Sequence, residues 1–227
     1  MWIWALIPFL ALQPDPVAMR KLFEDALSRR THEYGETDAR TAQAARDLGL
    51  FLVRSGDALT ARKALTNAVH LDEKALGPSA PQTLEDVATL ASISPRAEAE
   101  PLLRRASESS DPIVAGPALT SLAEMRKAAG DAPGAAVLLR RAVEKAEAVD
   151  GAEGLTVALV LKALALVSPP KDAIPVLQRA LAIHQGKLGS RSAETLADAR
   201  QLANLLRATG RVAEAAALER QLGLAGR

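Results

Sequence analysis

Three histidines, His32, His70 and His184, are the side chains best suited to metal or proton-transfer chemistry in this chain. His70 and Glu73 have helical spacing, but no second histidine stands near enough to complete a zinc pair. The sequence holds no G-x-x-x-x-G-K-[ST] phosphate loop, no G-x-S-x-G elbow and no H-E-x-x-H pair. It has no cysteine, which removes disulfides, thiolate zinc sites and thiol catalysis together. Carboxylates are plentiful, yet no apolar pocket can be argued that would hold two of them and split their pKa values. The histidines therefore read as solvated helix residues. The expectation is a chain with no catalytic residue, no cofactor and no metal.

The basic side chains come next. The pairs Arg29-Arg30, Arg104-Arg105 and Arg140-Arg141 invite a nucleic-acid reading. Net charge is only +1, and one Tyr and two Trp leave few rings for base stacking. Arginine stems beside alanine commonly pack along a helix with their heads in water. These pairs read as structural, and neither nucleic acid nor a small-molecule substrate is expected.

Whatever chemistry exists must be placed by repeated elements. The phrase "GDALTARKAL" at Gly56 returns as "GDAPGAAVLL" at Gly130 and "GRVAEAAALE" at Gly210. Marking the alanine of that phrase gives Ala61, Ala99, Ala135, Ala173 and Ala215, at intervals of 38, 36, 38 and 42. Four residues on lie Leu65, Leu103, Leu139, Leu177 and Glu219; seven on lie Ala68, Ala106, Ala142, Ala180 and Leu222. Spacings of four and seven put these columns on one helix face. With 48% hydrophobic but 3% aromatic residues, the apolar fraction is largely Ala, Leu and Val, and the first two head the helix-propensity scale.

A second set of helices precedes these. "TAQAARDLG" from Thr41, "TLEDVATLA" from Thr83 and "TLADARQLA" from Thr195 align without gaps, with "AGPALTSLA" from Ala115 and "VALVLKALA" from Val157 as the other copies. Each ends in Leu followed by Ala or Gly. Glycine inside a helix costs about 1 kcal/mol against alanine, so Gly49 needs a packing reason. The second and fourth copies lack four residues before the marker, close to one helical turn, and there the glycine turn is replaced by "SISPR" and "VSPPK". Gly35, Gly77, Gly151 and Gly189 stand where a left-handed helix cap is expected. Helices are predicted over 17–33, 38–55, 58–75, 83–92, 96–108, 113–129, 132–149, 154–167, 171–187, 193–209 and 212–223.

The chain opens "MWIWALIPFLALQPDP", apolar from Trp2 to Leu12. Eleven residues are too few to span a bilayer but fit the apolar core of an export leader. No Lys or Arg precedes the run, and Gln13 stands where a leader prefers a small residue. Two readings of residues 1–13 follow. One is a cleaved leader, with the protein exported to the periplasm or secreted; the other is an apolar segment docking on the first helix of a cytoplasmic protein.

The combined pattern resembles the tetratricopeptide repeat, and the connector glycines and a period near 42 resemble the kinesin-light-chain variety. The resemblance covers about residues 18–225 and implies an all-α, right-handed solenoid of five helix pairs after one leading helix. It implies one repeat domain over 17–225, a concave face lined by the first helices, and binding of a peptide or protein surface without catalysis. The resemblance places Gln43, Arg46, Arg54, Lys127, Lys162, Arg200, Asn204 and Arg207 on that face, with Glu85, Thr120 and Glu124. Six of these are basic and two acidic, which suits an acidic segment or a C-terminal carboxylate, and equally suits scatter on solvated helix faces. The alternative function is an assembly module that oligomerises, or attaches to a membrane through residues 1–13.

Overall fold

The computed structural model describes residues 15–224, and the apolar segment 1–13 lies outside them. Eleven helices are described: α1 Pro16–Tyr34, α2 Ala39–Arg54, α3 Ala58–Leu76, α4 Pro81–Ser92, α5 Arg96–Ala106, α6 Pro112–Ala128, α7 Ala132–Asp150, α8 Leu155–Val167, α9 Pro170–Leu188, α10 Ala193–Ala208 and α11 Val212–Gln221. Every expected helix is present with ends within two residues, and the described residues contain no strand. None of the helices is long and apolar enough to cross a membrane. The chain forms two compact units, one up to Leu102 and one from Leu103.

The repeat columns are the cores of both units. All five marker alanines are buried, as are Leu65, Leu103, Leu139 and Leu177. In the first unit Leu48, Leu52 and Ala61 form one cluster and Ala42, Ala45, Ala68 and Leu71 another. In the second, α6 to α9 share a core around Leu119, Leu139 and Leu161, and Leu177, Leu202 and Ala215 join α9 to α11. Small residues set the helix spacing, and Gly49 shows how tightly. A Cβ there would lie 2.6 Å from Leu65 Cγ, inside van der Waals contact. Gly49→Ala gains about 1 kcal/mol of helix propensity but overpacks the α2–α3 contact by about 1–3 kcal/mol. A lower melting temperature is expected in a thermal scan; an unchanged one would mean that Leu65 yields without cost.

The turns explain the repeated phrases. Gly56, Gly130 and Gly210 have φ of 79°, 81° and 80°. Asp57 and Asp131 then cap the next helix, accepting from the Thr60 and Gly134 amides at 3.1 and 2.8 Å. Arg211 makes no such cap. The proline-containing turns end their first helices early, at 12 residues in α4 and 13 in α8 against 16 in α2 and α10. There Ser94 and Ser168 donate their hydroxyls to the Leu90 and Leu164 carbonyls, both at 2.7 Å.

The connector glycines differ in one angle from the cap expected of them. Gly35, Gly77 and Gly189 have positive φ, but ψ of 179°, 160° and 160°. That is an extended region open almost only to glycine, rather than the left-handed helical well. Six residues on, Thr41, Thr83 and Thr195 donate their hydroxyls to these glycine carbonyls at 2.7, 2.9 and 2.9 Å. The threonines that open the aligned phrases, all fully buried, thus tie each connector to the helix it leads into.

Candidate functional site

The structure assembles two buried polar clusters. In the first unit Arg46 donates from Nη2 to Asp72 Oδ2 at 2.7 Å, from Nε to Asp86, and from Nη1 to Gln43 Oε1 at 2.9 Å. Asp72 and Asp86 are 1% and 0% exposed, and Asp72 Oδ1 and Asp86 Oδ2 have no partner. One guanidinium therefore serves two buried carboxylates. Burial pushes the Asp86 carboxyl up to about 7; Arg46 opposes this and Asp72 reinforces it.

The folded state keeps a proton that the unfolded chain releases near its ordinary value of 3.8. Stability from this group is therefore greatest below that value, falls as pH rises toward 7, and levels off above. The urea midpoint should be higher near pH 5 than near pH 8, and Asp86→Asn, which carries no titrating proton, should flatten that difference. A midpoint that rises between those values in the native chain would contradict the assignment.

The second cluster lies in the second unit. Asp198, fully buried, meets His184 Nδ1 with Oδ2 at 2.6 Å and Lys162 Nζ with Oδ1 at 2.7 Å. The lysine contact is an ion pair by distance but lacks the angle of a directed hydrogen bond. His184 is 2% exposed, so it is a core residue and not the solvated side chain expected from sequence. His32 and His70 are exposed as expected.

The two clusters occupy one register. Arg46 and Lys162 each stand five residues into their aligned phrase; Asp72 and His184 each stand eleven after a marker alanine; Asp86 and Asp198 each stand three into the following phrase. A base on one first helix, a polar group on its second helix and an aspartate on the next first helix thus recur as a unit. Asp86 and Asp198 share their column with Ala44, Ala118 and Val160, all buried, so an aspartate in an apolar column was the sequence signal for both.

This overturns part of the basic track. Arg46 is buried and neutralised by Asp72 and Asp86, Lys162 is held by Asp198, and Arg207 pairs with Glu219. Glu219 stands in an otherwise apolar column on α11, and Arg207 is its partner. Gln43 is exposed and bonds Asp47 at 3.0 Å as well as Arg46. Arg54, Lys127, Arg200 and Asn204 are exposed, and the three cations make no ion pair within the described residues.

The exposed face of α8 is largely apolar. Leu155, Leu159 and Leu166 are 40%, 60% and 61% exposed, and with Lys162 they have the spacing of one face of α8. The same register on α10 holds Ala193, Ala197, Arg200 and Asn204, all exposed. On α6, Ile113 is 66% exposed at the position of Leu155.

These features define an all-α protein of tetratricopeptide-like helix pairs. Solved structures carry the same fold. BtubC (BKLC) from P. vanneervenii is 18% identical with a TM-score of 0.69, over 94% of this chain and 90% of that one. A Podosopora anserina protein of kinesin-light-chain nearly identical TPR-like repeats is 22% identical with a TM-score of 0.56, over 92% of this chain and 95% of that one. A variant form of the Podosopora anserina repeats gives 22% and 0.59, over 79% and 92%. No protein-family profile matches the chain. No curated protein sequence matches it either.

Proposed function

We propose that the protein is a non-catalytic scaffold that binds a peptide or protein surface through the exposed face of the first helices in the second unit. The observation that carries this reading is the leucine face of α8. Leu159 and Leu166 keep most of their surface in water, and an exposed apolar strip is what a partner buries. Arg200 stands on α10 at the register of Lys162, exposed and without an ion pair among the described residues, and the same holds for Lys127 on α6. Bases of that kind beside an apolar strip suit a partner segment that carries carboxylates.

Affinity capture from the source cell tests the reading. Leu159→Asp together with Leu166→Asp should abolish recovery of the partner while leaving the melting temperature nearly unchanged, because both side chains lie on the surface. Arg200→Glu should weaken recovery less, and the native complex should weaken as salt screens the charge. Arg140→Glu, on an exposed position of α7, is the control. Equal losses from Arg200→Glu and Arg140→Glu would show that charge acts globally, and full recovery with both leucines replaced would exclude this face.

A further inference from the structure

The second-helix register extends to α1. Gly77, Gly151 and Gly189 each stand sixteen residues after a marker alanine, so Gly35 places Met19 in the marker column, Phe23 in the large column and Ala26 in the second small column. Leu27, one residue on, packs against Ala42 and Ala45 of α2. By register α1 is therefore a second helix, and the described residues include no first helix for it. Its burial reflects this. The corresponding columns are buried in α3, α5, α7 and α9, whereas α1 has no buried residue and leaves Met19, Phe23 and Ala26 half-buried. Beside them runs a groove of about 700 Å³, walled by Leu22, Phe23 and Ala26 of α1 and by Ala39, Gln43 and Ala44 of α2, with Arg29, Arg30, Arg40 and Asp47 also lining it. Ala44 holds the position from which Asp86 and Asp198 reach back to the preceding first helix. The groove is the slot of a first helix.

We propose that residues 3–13 of the same chain fill it. In the short copies the marker stands nine residues after the closing leucine of the first helix. Nine before Met19 is Leu10, followed by Ala11 as the other copies have Ala or Gly. Pro16, the first residue of α1, stands three before Met19 as Pro170, the first of α9, stands three before Ala173. The six columns that first helices turn toward the core fall on Ile3, Trp4, Leu6, Ile7, Leu10 and Ala11, all apolar. Pro8 would be sixth in a helix starting at Ile3, and Pro101, Pro117 and Pro175 are each the sixth residue of their helices. A proline near a helix start forfeits few backbone bonds there.

Trp2 and Trp4 are the chain's only tryptophans, so its indole fluorescence reports this segment alone. In the full chain carrying Trp2→Phe, Trp4 should emit at short wavelength and be quenched by acrylamide several-fold less than free tryptophan, independent of protein concentration. Ala44→Arg, in the groove wall, should shift the emission to the red and raise quenching to within about twofold of free tryptophan, with far-ultraviolet dichroism of the helices retained. Should that variant unfold, Leu10→Glu must give the same shift in a folded chain. Trp4 quenched like the free amino acid in the native groove would overturn the proposal. So would protection that grows with concentration, which puts a second copy in the groove, or a chain recovered from its own cells beginning after residue 13, which makes the segment a cleaved leader.

Discussion

Arg46→Ala is expected to lower the unfolding free energy by about 3–5 kcal/mol, the range for removing one partner of a buried charge cluster. The reason lies in what remains. Asp72 and Asp86 are both shut from water, and each already has one oxygen without a partner. A proton on Asp86 relieves one carboxylate, but Asp72 would be left buried with no cation beside it. Urea denaturation followed by circular dichroism measures the loss, and mild acid should recover part of it, since a protonated Asp86 needs no cation. A loss below about 1 kcal/mol at neutral pH would mean that water reaches the carboxylates. The same side chain, read as a solvated groove base, would have been expected to tolerate substitution.

Asp198→Ala is expected to cost about 2–3 kcal/mol, less than Arg46→Ala although the residue is as deeply buried. The groups it leaves behind have ways out. Lys162 retains 27% of its side-chain surface and can carry its ammonium to water along its stem. An imidazole, unlike a carboxylate, need carry no charge when buried. Asp198→Asn should cost less still, because the amide oxygen can accept from Nδ1. If Asp198→Ala matched Arg46→Ala in cost, the lysine would have to be pinned in place rather than free to swing.

The sequence made the helices legible because their burial depends on small-residue columns that repeat, and a column seen five times averages out single departures. Ala61, Ala99, Ala135, Ala173 and Ala215 are buried as the register required. Gly49 advertised a close approach, and Leu65 is what approaches. The polar clusters were hidden for a different reason. Register fixes where a Cβ points, but an arginine or lysine reaches several ångströms beyond it, so Arg46 and Lys162 leave groove columns and end on acids of the next first helix. The leucines of α8 escaped because exposure of an apolar side chain depends on which neighbours are absent, and one helix's sequence does not record that.

The recurring base–aspartate cluster also bears on how five similar helix pairs avoid assembling in the wrong frame. A chain built of near-copies can slip, stacking one pair against the next but one, because alanine and leucine columns fit almost interchangeably. Such a slip would set Arg46 against Ala118, the third copy's occupant of the Asp86 column, and would strand Asp86 in an apolar interface. A slip that stacks the third pair against the fifth would set Asp198 against Thr120, the third copy's occupant of the Lys162 column, and bury it with no cation. Each of these two stacks would bury an uncompensated charge at a cost of several kcal/mol, far more than the hydrophobic columns could return by fitting again. The first-to-second and fourth-to-fifth junctions thus carry an electrostatic address that the apolar columns lack, and the order of the copies is written into which junctions are charged.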